Sequence, residues 1–139
     1  MTDTPWQTIP EMVLSAADRF GYAEAVVDGP LRLSFVELAQ RIRSSAGAFA
    51  DFGIGKGDRV ALWAPNSAEW IIAAFGLMTA GGVLVPVNTR FKAEEAADVV
   101  SRSGAKAILV QKGFLGADFS VADVGLDVPT IDLKSDFLG

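Results

Sequence analysis

Trp70-Ile71-Ile72-Ala73-Ala74-Phe75-Gly76-Leu77-Met78-Thr79-Ala80-Gly81-Gly82-Val83-Leu84-Val85-Pro86-Val87-Asn88-Thr89 is the stretch whose reading decides the fold. It carries no charge from end to end, and it reaches the length of about 20 residues usual for a membrane-spanning helix. A single helix would be broken in its middle by Gly81-Gly82 and again at Pro86, and no basic residues flank the stretch as anchors. The β-branched run Val83-Leu84-Val85-Pro86-Val87 suits a buried strand better. The spacing therefore predicts a helix over Ser67 to Ala80 and a buried strand over Val83 to Val87, with no membrane span.

Working outward, the same grammar repeats. Thr8 with Glu11, Ser34 with Glu37, and Asn66 with Glu69 each place a capping side chain three residues before an acid that can reach back to free backbone amides. A fourth start is marked by Glu94 and Glu95 in a first turn, where acids complement the helix dipole. Gly21, Gly53, Gly81 and Gly104 follow the last periodic positions, where a left-handed cap favours glycine. The predicted helices run Ile9 to Phe20, Phe35 to Phe52, Ser67 to Ala80 and Ala93 to Ser103. In the second, Phe35, Leu38, Ala39, Ile42, Ala46, Phe49 and Phe52 form one apolar stripe, expected to lie on a sheet. The third is apolar nearly all round, so two covers are expected, the second supplied by protein beyond this chain.

Short β-type runs separate the helices: Ala25 to Asp28, Leu31 to Leu33, Val60 to Ala64, Val83 to Val87, Ala107 to Val110 and Pro129 to Asp132. Asp28-Gly29 signals a hairpin turn between the first two. The later runs alternate with helices, which calls for parallel pairing through right-handed crossovers. The expected fold is α/β, a mostly parallel sheet with a small amino-terminal hairpin. Residues 1–113 read as one subdomain, and 114–139 as an acidic connecting segment ending in at most one strand.

Composition narrows the function. The chain has 139 residues, enough for one domain with a core. Its hydrophobic share is 50%; counting glycine among the apolar residues brings it to about 60%, against a typical 45 to 50%. That surplus predicts an apolar surface covered by a second copy or by the remainder of a larger protein. Twelve basic and 17 acidic residues give −5, and Asp118, Asp123, Asp127, Asp132 and Asp136 against Lys134 concentrate it in the tail. No basic stripe exists, so no nucleic-acid partner is expected. Neither cysteine nor histidine occurs, which removes thiolate chemistry, disulfides and the commonest general base. Met1-Thr2-Asp3-Thr4 does not open like a secretory leader, so the cytoplasm is the expected compartment.

Few residues invite a chemical reading. Gly53-Ile54-Gly55-Lys56-Gly57-Asp58 has the glycines of a phosphate loop, but it follows a helix and opens a strand, the reverse of the required order, and reads as a turn. Ser101-Arg102-Ser103-Gly104-Ala105-Lys106 straddles a helix end, where its hydroxyls cap or face water. Glu94 and Asp98 share a helical face with Glu95 nearby; paired catalytic acids need burial to separate their pKa values, and a solvated face is expected instead. Trp63 and Trp70 read as core. Asn88 and Arg90 are the candidate binding residues, because they follow a strand at the end where α/β sheets take ligands. The competing reading is that Arg90 pins the loop by bonding carbonyls while Asn88 tolerates the turn.

Two motifs carry a resemblance. Leu33-Ser34-Phe35-Val36-Glu37-Leu38 and Leu77-Met78-Thr79-Ala80-Gly81-Gly82-Val83-Leu84-Val85-Pro86-Val87-Asn88, with Gly57-Asp58-Arg59-Val60 between them, resemble in order and spacing the amino-terminal segment of the adenylate-forming superfamily. The likeness covers almost the whole chain. Asn88-Thr89-Arg90 is similar to acyl-CoA ligases more than to peptide-synthetase adenylation domains, which usually carry Asp at that first position. Phe114-Leu115-Gly116-Ala117-Asp118 resembles bacterial ligases of fatty-acid and steroid catabolism. The resemblance implies an enzyme that uses ATP, Mg and CoA to turn a carboxylate into its thioester through an acyl-adenylate. It also implies a Ser/Thr/Gly-rich loop ending in Lys-Gly, later nucleotide-binding motifs and a carboxyl-terminal catalytic Lys, none of which this sequence contains. No catalytic or metal residue is carried over, and the two motifs present are chiefly scaffold in the family. Two readings follow: an inactive amino-terminal fragment of such a ligase, or a free-standing α/β module that binds a small anionic ligand.

Overall fold

A computed structural model describes residues 6–111 and 128–133. The amino-terminal layer is helix α1 (Ile9–Phe20), strands β1 (Glu24–Asp28) and β2 (Leu31–Ser34), and helix α2 (Phe35–Asp51). Next come β3 (Arg59–Trp63), α3 (Ala68–Thr79), β4 (Val83–Pro86), α4 (Ala93–Ser103), β5 (Ala107–Val110) and β6 (Thr130–Asp132). β1 and β2 form an antiparallel hairpin, and the other strands make a parallel sheet in the order β4-β3-β5-β6. The expected α/β architecture is the observed one.

Alternation along the strands splits the core in two, because successive side chains leave opposite faces. Val60, Leu62, Leu109 and Ile131 meet Ala73, Ala74 and Leu77 of α3 and Phe49 of α2 on one face. Ala61, Trp63, Ile108 and Val110 meet Ala96 and Val100 of α4 on the other. A third cluster, Leu33, Leu38, Ile42 and Ile72 with Ile71 and Phe75, binds the hairpin and α1 to the far side of α3.

That third cluster corrects two expectations. The second cover of α3 lies within this chain, since hairpin, α1 and α2 bury the side that the sheet does not. The stripe of α2 rests mainly on α3 and only Phe49 reaches the sheet cluster; its buried residues are Leu38, Ala39, Ile42, Ser45 and Phe49, while Phe52 is exposed. Close approach of the two helices has a specific cause: a methyl group on Gly76 would overlap Ser45 Oγ. Glycine at that point lets the backbones approach.

Two further expectations shift by a residue or by a neighbour. Ser67, not Asn66, caps α3: its backbone is extended and its Oγ accepts the Trp70 N–H. Either residue type can cap, and the extended backbone falls at Ser67. The hairpin turn is Gly29-Pro30, since Asp28 still pairs with Leu31, and Gly29 takes the positive φ of 59°. The Ser34 and Glu37 capping box forms as read, with Ser34 N–H donating to Glu37 Oε1 at 3.0 Å and Glu37 N–H to Ser34 Oγ at 3.1 Å. Bonding by the Ser34 backbone first, then its hydroxyl, holds the Glu37 carboxyl below its ordinary range.

Among the described residues β4 is the edge of the sheet, not a covered strand, and Val83 is 43% exposed. A short apolar run does not distinguish an edge from a centre. Val83 and Val87 donate their N–H groups to Asp58 and Leu62 on the β3 side. Alternation then turns Pro86, which has no N–H to offer, away from β3, as suits an edge position. Thr130–Asp132 matches the expected last strand; residues 114–127 and 134–139, which hold most of the expected connecting segment, lie outside the described residues.

Candidate functional site

The carboxyl ends of β3, β4 and β5 face one way, and the chain leaving β4 turns there at Asn88. Asn88 Oδ1 accepts the Arg90 N–H at 2.9 Å, and its carbonyl accepts the Phe91 N–H at 3.0 Å. The same carbonyl accepts the indole N–H of Trp63 at 3.0 Å. Trp63 is 2% exposed in the core beside Ile108 and Val110, so the turn is tied to the centre of the sheet. Arg90 itself is exposed, and its guanidinium has no ion-pair partner among the described residues. The competing reading made Arg90 the pin of this loop; among the described residues the structure gives that work to Asn88 and Trp63 and leaves the Arg90 side chain exposed.

At the opposite end the glycine-rich segment 53–58 is a turn, as expected. Gly55 N–H donates to Asp58 Oδ2 at 2.8 Å, Lys106 Nζ sits 3.1 Å from the same oxygen, and Gly57 N–H bonds the Gly81 carbonyl. Gly81 has φ of 92°, and a Cβ there would lie 3.1 Å from Lys56 Cα. Its glycine is set by both backbone and space. The Gly55 amide first, then Lys106, holds the Asp58 carboxyl below its usual value.

The remaining candidates are structural. Ser103 Oγ bonds the Val100 carbonyl, and Gly104 closes α4 in the left-handed region. Glu94, Glu95 and Asp98 are exposed; Glu95 caps Lys92 N–H at 2.9 Å, and Asp98 lies 3.6 Å from Arg102. Trp70 packs against the core. Among the described residues no group of three or more carboxylates could hold a metal ion.

One contact was not anticipated. Asp28 Oδ2 accepts the Ala68 N–H at 2.8 Å, so the hairpin caps the amino terminus of α3 from 40 positions away. A cleft of about 490 Å³ lies beside it, lined by Asp28, Asn66, Ser67, Glu69 and Gln111 among others. Asp-Gly signalled a turn, but nothing in the sequence showed which helix the carboxylate would meet.

With this geometry in hand, comparison supplies the family. The model of the AMP-binding enzyme family matches residues 14–136, and the chain belongs to that family. It is 42% identical over 135 residues to 3-[(3aS,4S,7aS)-7a-methyl-1,5-dioxo-octahydro-1H-inden-4-yl]propanoyl:CoA ligase of Rhodococcus jostii, covering 94% of this chain and 26% of that protein. It is 33% identical over 110 residues to the mitochondrial medium-chain acyl-CoA ligase ACSF2 of Rattus norvegicus, covering 78% of this chain and 18% of that protein. The o-succinylbenzoate CoA synthetase of Bacillus subtilis, solved with its acyl-adenylate, superposes with a TM-score of 0.82 at 22% identity over 94% of this chain and 33% of that one. The chain thus spans about a quarter or less of these two sequence relatives and corresponds to the amino-terminal part of such proteins. No helix among the described residues is long and apolar enough to cross a membrane.

Proposed function

We propose that this chain is the amino-terminal part of an ATP-dependent acyl-CoA ligase and has no activity alone. In the whole enzyme a carboxylate oxygen attacks the α-phosphorus of ATP, releasing pyrophosphate. The CoA sulfur then attacks the acyl carbon, its proton is lost, and AMP leaves as the thioester forms. The observation that carries the reading is 42% identity to a CoA ligase across nearly the full chain. Mg is expected to accompany ATP in the whole enzyme, and none of the described residues is proposed to hold it.

Within that enzyme these residues build a wall of the large domain. Asn88 and Arg90 are the part of the wall we assign to binding: a tied-down turn presents a free cation at the ligand end of the sheet, suited to a phosphate of ATP or CoA. The partners are the rest of the enzyme and a second copy, against exposed apolar residues such as Trp6, Ile9 and Phe20. The compartment is the cytoplasm.

ATP–pyrophosphate exchange driven by carboxylic acids tests the reading. The isolated chain is expected to give none, and a protein whose frame continues into a Ser/Thr/Gly-Lys loop is expected to exchange. Exchange by the isolated chain would overturn it. Saturable binding of AMP or CoA to the isolated chain, lost in Arg90→Ala, would instead favour a free-standing binding module.

A further inference from the structure

We draw no further inference here: the strongest candidate, the polar cleft at the carboxyl ends of β3 and β5 lined by Asp28, Asn66, Ser67, Glu69 and Gln111, rests on a helix amino terminus and two acidic side chains, and no second observation among the described residues points to a ligand, Gln111 being only partly buried.

Discussion

Lys106 and Arg90 stand at opposite ends of one parallel sheet, and the structure treats them differently. Lys106 is held 3.1 Å from Asp58, whose carboxylate also takes the Gly55 amide, and the surrounding turn is locked against Gly81. Arg90 leaves a turn that is equally well tied, by Asn88 and Trp63, yet its own charge meets no counter-charge among the described residues. At the amino end Asp58, Lys106 and the Gly55 amide close the turn. The carboxyl end fixes the backbone and leaves the Arg90 side chain exposed.

The largest expected effect comes from breaking the closed end. Gly81→Ala puts a side chain at φ of 92° and 3.1 Å from the Lys56 backbone. The loss of stability is expected to be about 1–3 kcal/mol, measured by denaturant unfolding. A variant as stable as the parent would show that the turn yields and is not locked.

Next in size is Asp28→Ala, which removes the carboxylate from the start of α3. It is expected to cost about 1 kcal/mol, as lost caps do, and hydrogen exchange is expected to quicken in the first turn of α3 with the sheet strands little changed. Uniform acceleration would mean that the hairpin supports the whole fold and not one helix end.

Acid titration sharpens the same contrast. The Asp58 and Glu37 carboxyls sit below their ordinary values of 3.8 and 4.5 when folded. Their contribution is therefore complete above those values and fades as pH falls through the lowered folded ones. Melting temperature is expected to drop on acidification below about pH 4.5 and to drop less steeply in Asp58→Asn, already weaker at neutral pH. An unchanged slope in that variant would assign the acid sensitivity elsewhere.

Arg90→Ala is the smallest for stability, expected within about 0.5 kcal/mol of the parent. In the whole ligase it is expected to raise KM for ATP or CoA about tenfold, equivalent to about 1.4 kcal/mol, with kcat retained. Unaltered KM for both would leave Arg90 a solvated surface residue.

Much of this was legible in the residues. Thr8, Ser34 and Gly104 announced helix ends because a cap depends on contacts within a few residues, and local chemistry decides it. The hairpin and the β-α alternation followed from period and turn residues in the same way. Asn88 and Arg90 were legible only as candidates, from their place after a strand. Their division of labour was not, because it depends on Trp63, 25 positions earlier, donating to the Asn88 carbonyl.

Sequence alone, then, determined the order and type of the elements and, through its two motifs, the family, since these rest on short-range periodicity and on residues adjacent in the chain. Only the tertiary structure decided that α2 packs on α3 through Gly76, that Asp28 caps a helix from the hairpin, and that, among the described residues, β4 is an edge and Lys106 is paired while Arg90 is not. Each of those is a contact between groups far apart along the chain. Strand order and helix crossing set such distances, and neither has a signature in the local pattern.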